Sequence, residues 1–310
     1  MLLQNIPLKK YSNYKIGGPA SYFFEFKSKE ELISAVKEFR ETEESGKILV
    51  IGSATNILFS DSGFSGLVLK NDISFIKREG EMVEVGAGTL VADLVSFCAQ
   101  NSLSGMEWAG GLPGTVGGAI RGNAGAFLGE TKDSVLEVES LNIDSLQVNL
   151  KSKKDCGFDY RQSVFKNGEG EQEIIISAKF KFEKGDRELI KKTTQEKIDY
   201  RIERHPLDLP NIGSTFKNVP ADSVSEEVRK EFEKNIKPDP FPVIPAAKLI
   251  IGAGMIGGKV GGAQVSTKHP NFIVNLGSAK ASDVLALIEK VKEKVREKYD
   301  IILEPEVMFV

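Results

Sequence analysis

Apolar positions recur at helical spacing in several stretches of the chain. Leu32, Ile33, Val36 and Phe39 predict an amphipathic helix over residues 28–41, with Ser28 placed to cap it. Val91, Leu94, Val95 and Cys98 predict a second over 90–101. Residues 187–203 read as a heavily charged, solvated helix, and 281–299 as another. Alternating or short buried apolar runs predict strands at 14–26, after a Gly-Gly-Pro bend, and at 47–51, 66–70, 82–86, 135–143, 147–150 and 173–182. The last ten residues, IILEPEVMFV, read as an apolar strand, and period-two alternation puts Glu304 and Glu306 on one face. The mixture predicts an α+β protein with mixed sheets. Prolines at 206, 210, 220, 238, 240, 242 and 245 mark a boundary before a smaller α/β unit containing 246–251, 272–275 and the helix 281–299.

One stretch breaks this pattern. In residues 105–130, GMEWAGGLPGTVGGAIRGNAGAFLGE, nine of 26 positions are glycine. Glycine lets another molecule approach the backbone closely. Arg121 is the only cation there, so any phosphate would be held mainly by backbone N–H groups. Pro113 suits the first turn of a short helix through 115–120, and Asn123 punctuates its exit. Trp108, Leu112, Val116, Ile120 and Phe127 are too apolar for a solvated linker. A second small-residue turn, Gly52-Ser53-Ala54-Thr55-Asn56, follows the strand at 47–51 and could also hold phosphate.

Composition narrows the field. The chain has 310 residues, 41% hydrophobic and 27% charged, with net charge −3, which offers no basic surplus for nucleic acid. Two cysteines, Cys98 and Cys156, and two histidines, His205 and His269, give neither a disulfide framework nor a metal cluster. No bound metal is expected. No apolar run reaches the length of a membrane span, and the N-terminus lacks a secretory pattern. A cytoplasmic monomer without membrane or nucleic-acid partners is the expectation.

Three polar groups could carry chemistry. Arg161, beside aromatics in YRQSVF, could clamp a carboxylate or phosphate, or simply form a surface ion pair. Ser214 follows Gly213, with Lys217 nearby, and could be reactive or an ordinary turn serine. Glu304 and Glu306 cannot be told apart by periodicity. Gly252-Ala253-Gly254-Met255-Ile256-Gly257 matches a dinucleotide fingerprint, but no helix pattern follows and no acidic residue lies about 20 positions on, so it reads as structural turns. The segment at 86–88 reads the same way.

Together these segments resemble one family, the UDP-N-acetylenolpyruvoylglucosamine reductases. The motifs are IGGPA at 16–20, GSATN at 52–56, GLPGTVGGAIRGNAG at 111–125, YRQSVFK at 160–166, GSTFKN at 213–218, GGAQVSTKHPNFIVN at 261–275 and LEPEV at 303–307. The resemblance implies an FAD-binding fold of the vanillyl-alcohol-oxidase (PCMH) type in two subdomains, 1–70 and 71–205. A substrate-binding domain at 206–300 and a C-terminal strand at 301–310 complete it. It implies NADPH-dependent reduction of a sugar-nucleotide enolpyruvate for peptidoglycan synthesis. By residue-wise matching it implies Arg161, Ser214 and Glu306 as catalytic, with Ser214 the proton donor. FAD would be held by Gly52, Ser53, Ala54, Thr55 and Asn56, by Gly114, Thr115, Val116, Gly117, Gly118 and Ala119, and by Asn123, Ala124 and Gly125. Tyr160, Lys217, Asn218 and His269 would contact substrate. The short interval between the YR and GS motifs resembles the branch without an extra capping loop. The family's turn is richer in glycine than GSATN. A positive φ at Ser53 or Ala54 would therefore cost about 1 kcal/mol. A same-fold oxidase or a non-catalytic sugar-nucleotide binder are the alternatives.

Overall fold

The computed structural model describes residues 1–42, 46–166, 172–238 and 241–310; Pro240 of the proline cluster lies outside them. The chain forms two compact units, each assembled from separated stretches: Met1–Ile6, Ala20–Ser53 and Ser65–Arg201 in one, and Pro7–Pro19, Ala54–Phe64 and Ile202–Val310 in the other.

The first unit holds two sheets. One has the strand order Leu3–Pro7, Pro19–Phe26, Phe64–Asn71, Lys47–Ile51, the last two running parallel. The helix Lys29–Arg40 connects two of these strands, and Ser28 Oγ accepts the Glu31 N–H at 3.2 Å as its cap. Leu32, Val36 and Phe39 pack with Phe26, Leu67 and Leu69. The second sheet is antiparallel, in the order Val148–Ser152, Val135–Asn142, Glu173–Lys181, Met82–Gly86, Ile76–Glu79. Val83 and Val85 pack on the helix Val91–Gln100 and share a core with Trp108, Ile120, Phe180 and Phe182. The boundary drawn near residue 70 falls between these sheets, and both belong to this unit. The charged helix Arg187–Arg204 carries the chain onward, burying only Ile190, Thr194 and Arg201.

In the second unit the long helix Ala281–Tyr299 packs Leu287, Val291 and Val295 into a core with Phe216, Leu249, Val265 and Ile273. Two early stretches, placed by sequence with the first 70 residues, are built into this core. Tyr14 donates its hydroxyl to the Ile273 carbonyl at 2.8 Å, and Asn275 Nδ2 donates to the Tyr14 carbonyl at 3.0 Å. Ile57–Leu58 pairs in parallel with Met308–Phe309. These pairings are non-local, so periodicity within either stretch could not register them. The glycines at 252–257 end the helix Ala246–Gly252 and turn at Gly254 (φ 70°) and Gly257 (φ 69°) into the strand Lys259–Val260, so no helix follows the fingerprint.

The helix Ala281–Tyr299 takes its N-terminal acceptor from far away in the chain. Asp61 Oδ1 accepts the Ala281 N–H at 2.7 Å and Oδ2 the Ser282 N–H at 3.0 Å. Partial burial pushes the Asp61 carboxyl up, but the Ser282 and Ala281 N–H groups outweigh it and hold the group below the usual aspartate range. A depressed folded-state value means stability that is present above the unfolded pKa, near 4, and lost as pH falls through the folded value. Asp61→Ala should cost about 1 kcal/mol at pH 7. In denaturant titrations the gap between wild type and variant should narrow as pH falls from 5 toward 2; a gap that stays constant would contradict the capping role.

Candidate active site

The glycine segment is organised by one close approach. A Cβ added to Gly52 would run into Thr115 Oγ1 and lie 3.0 Å from Thr115 Cγ2. Thr115 is itself the cap of the short helix Val116–Arg121, its hydroxyl accepting the Gly118 N–H at 3.3 Å. Pro113 lies outside this helix, two residues before the cap, contrary to the first-turn placement. Gly52 thus lies against the start of the glycine-rich helix.

The donors differ from the sequence expectation. Val116 N–H donates to the Thr89 carbonyl at 2.9 Å, Gly117 N–H to the Ala87 carbonyl at 2.8 Å, and Gly118 N–H to Thr115 Oγ1. Val116 is buried in the apolar core. These three amides are spent on the protein. Among the described residues, the N–H groups of Ser53, Ala54, Thr55 and Asn56, and of Gly114 and Thr115, meet no acceptor. No acidic side chain lies within 52–56 or 114–119. An unclaimed run of amides on small residues, with no carboxylate to repel a ligand, suits a diphosphate, so the residues present fit FAD. Ala54 has φ 46°, the left-handed conformation anticipated as a cost of this turn, and it is buried.

Asn123 is fully buried at φ 39°. Its Nδ2 donates to the Asp159 carbonyl at 2.9 Å and its Oδ1 accepts the Lys132 N–H at 3.1 Å. Its side chain is thus hydrogen-bonded within the protein. Through it, and through Ser163 Oγ donating to the Arg121 carbonyl at 2.7 Å, the Tyr160–Arg161 turn is anchored to the glycine segment. Arg161 sits at φ 56°, stacks over the Tyr160 ring at 5.1 Å and donates Nη2 to the Gly125 carbonyl at 2.9 Å. Ala119 and Ala124 are half-buried and joined by the Ala124 N–H donating to the Ala119 carbonyl at 2.8 Å.

The second unit brings another set together. The segments containing Ser214 and Glu306 run side by side: Glu306 N–H donates to the Thr215 carbonyl at 2.8 Å, Lys217 N–H to the Glu304 carbonyl at 2.9 Å, and Phe216 bridges Pro305. Only Met308–Phe309 of the last ten residues is strand, so the shared-face expectation for Glu304 and Glu306 does not apply. The two are told apart by surroundings. Glu304 is exposed and pairs with the Lys217 ammonium, whereas Glu306 is half-buried and its carbonyl accepts Asn56 Nδ2 at 3.0 Å. Gly213 turns at φ 83°, leaving Ser214 half-buried beside it. Asn271, which sequence reasoning missed, fixes this turn: its Oδ1 accepts the Phe216 N–H at 3.0 Å and its Nδ2 donates to the Phe216 carbonyl at 2.8 Å. The only hint was a polar residue directly before an apolar strand. Asn218 Oδ1 accepts the Ala246 N–H at 3.2 Å, at the start of a helix. His269 packs edge-on to His205 (5.4 Å) and Phe272 (4.8 Å). Burial, then the Lys237 cation, pushes its imidazole down to about 4, so it is neutral at pH 7.

Among the described residues, no group of His, Cys, Asp and Glu could hold a metal ion, and no helix is long and apolar enough to cross a membrane. A family profile described as an FAD binding domain matches residues 20–150, and one described as the C-terminal domain of UDP-N-acetylenolpyruvoylglucosamine reductase matches 205–310. With the backbone cradle, this defines an FAD-dependent oxidoreductase. A reductase of that name from Carboxydothermus hydrogenoformans is 38% identical, covering 99% of this chain and 94% of its own. One from Caldanaerobacter subterraneus is 36% identical, covering 100% and 93%. The crystal structure of the Thermus caldophilus reductase matches with TM-score 0.78 at 29% identity, over 100% of this chain and 99% of that one. The chain belongs to the UDP-N-acetylenolpyruvoylglucosamine reductase family.

Gly52→Ala should displace the Thr115 hydroxyl and open the junction between the two glycine segments. The expected result is at least about tenfold weaker FAD retention, read from visible absorbance after dialysis, in a protein that still folds. Wild-type retention would contradict the junction.

Proposed function

We propose that this chain reduces UDP-N-acetylglucosamine enolpyruvate to UDP-N-acetylmuramate in peptidoglycan precursor synthesis, using NADPH, as a cytoplasmic monomer. The observation that carries the reading is the run of unclaimed amides at 53–56 and 114–115 in a chain of this family. FAD, when bound, would supply the hydride chemistry that carries reducing equivalents from NADPH to the substrate double bond. Backbone N–H groups of Ser53 to Asn56, with Gly114 and Thr115, would hold its diphosphate, and half-buried Ala124 and Gly125 follow on the glycine segment.

The remaining work belongs to three side chains. Hydride addition at the vinyl carbon distal to the ether oxygen leaves an electron pair on the neighbouring carbon, which the conjugated carboxylate absorbs as an enolate. Arg161 opposes that charge with a guanidinium already oriented by the Gly125 carbonyl and the Tyr160 ring. Glu306 meets the same enolate through a bridging water. Ser214 gives its hydroxyl proton to the carbon bearing the ether oxygen and recovers one from solvent, so the substrate gains one hydride and one proton. Neutral His269, with Tyr160, Lys217 and Asn218, contacts the sugar nucleotide. Lys217 must exchange Glu304 for a substrate phosphate to do so.

Ser214→Ala should leave flavin reduction by NADPH intact and slow reoxidation by the enolpyruvate by about 10²–10⁴. Equal losses in both half-reactions, followed by flavin absorbance, would count against Ser214 as the donor.

A further inference from the structure

Residues Gly125–Ala126 and Gly129–Glu130 pair as a tight antiparallel hairpin, with Ala126 opposite Gly129. Its two tip residues, Phe127 and Leu128, both have positive φ, 52° and 69°. Two-residue hairpins of this hand favour Asn-Gly or Gly-Gly at the tip. Two bulky side chains there are strained, and such strain persists only where surroundings over-determine the conformation.

The surroundings come from the helix Arg187–Arg204. Lys197, Tyr200 and Arg201 lie on one face of it and all meet the Phe127 ring. The Lys197 ammonium and the Arg201 guanidinium each lie 5.0 Å from its centroid, and Tyr200 packs edge-on at 5.2 Å and 86°. Arg201 is 5% exposed, and among the described residues no carboxylate pairs with it. It donates instead to the Gly110 and Trp108 carbonyls. The Trp108 indole in turn backs Gly129 so closely that a Cβ there would lie 2.9 Å from Trp108 Cβ. Burying a guanidinium costs desolvation, which here only neutral carbonyls and a ring face offset. At the base of this hairpin the Gly125 carbonyl accepts Arg161 Nη2.

We infer that Arg201 acts through Phe127 as a positioning residue for Arg161, locking the strained hairpin whose Gly125 carbonyl aims the Arg161 guanidinium. This rests on the reading that Arg161 stabilises the enolate. Arg201 touches no reacting atom; it sets where Arg161 points.

The test uses the FAD-loaded enzyme and five variants, one of them double, with the two half-reactions followed separately by flavin absorbance. Phe127→Leu and Arg201→Lys should each slow reoxidation by the enolpyruvate about tenfold or more while sparing reduction by NADPH. Phe127→Tyr, which keeps the ring face, should restore the wild-type rate. Placed on Arg161→Lys, Phe127→Leu should add less than about a twofold loss, because the clamp has nothing left to aim. Trp108 is the only tryptophan in the chain, so its emission in cofactor-free protein reports the hairpin directly and should change in Phe127→Leu. If Arg161→Lys slows reoxidation but Phe127→Leu does not, the clamp is overturned. Losses that multiply in the double variant, or that fall equally on both half-reactions, overturn it too. An unchanged rate in Arg161→Lys overturns the reading of Arg161 itself, and this inference with it.

Discussion

Gly52 has no room for a side chain because Thr115 stands where its Cβ would be. That close approach ties a turn after one sheet to the start of a helix associated with the other. Beside it are backbone N–H groups that meet no acceptor among the described residues. The amides that do have acceptors matter equally. Val116, Gly117 and Gly118 use theirs to seat the short helix on Ala87, Thr89 and Thr115. The helix start is therefore engaged with the protein, and Gly114 and Thr115, whose N–H groups meet no acceptor among the described residues, directly precede it.

The cradle carries a local cost. Ala54 holds a left-handed conformation that glycine would adopt without penalty, at a strain of about 1 kcal/mol. Asn123, Phe127, Leu128 and Arg161 share that conformation. Three of these are fixed by specific partners: a buried amide network for Asn123, a cation-bearing helix face for Phe127, a carbonyl and a ring for Arg161. Rigidity of this kind suits a site that must present charge without rearranging as the enolate develops.

Much of the element list was legible in the chain. The helix at 29–40 has both a capping serine and a 3.6-residue apolar period, and the strands at 47–51 and 82–86 show continuous or alternating apolar runs. The glycine-rich segments were legible because their glycine density stands out against an ordinary background, whereas Arg161, Ser214 and Glu306 were singled out as catalytic only by the family resemblance. What stayed hidden depends on partners distant in sequence. Residues 7–19 and 54–64 join the C-terminal unit through hydrogen bonds to Ile273, Asn275 and Met308. Which amides near Thr115 are free depends on where residues 87–89 lie. Arg201 sits in a helix so uniformly charged that no periodicity separates the buried cation from the solvated ones. Glu304 and Glu306 were alike until their neighbours were in place.

The central claim is that the main chain at 53–56 holds the diphosphate of FAD. Amide hydrogen exchange across these residues, with and without FAD, addresses it without relying on turnover. The account predicts rapid exchange in the cofactor-free protein and strong protection of Ser53 to Asn56 when FAD binds, with little change at Val116 to Gly118, whose amides are already paired. Protection at 116–118 with continued rapid exchange at 53–56 would contradict it.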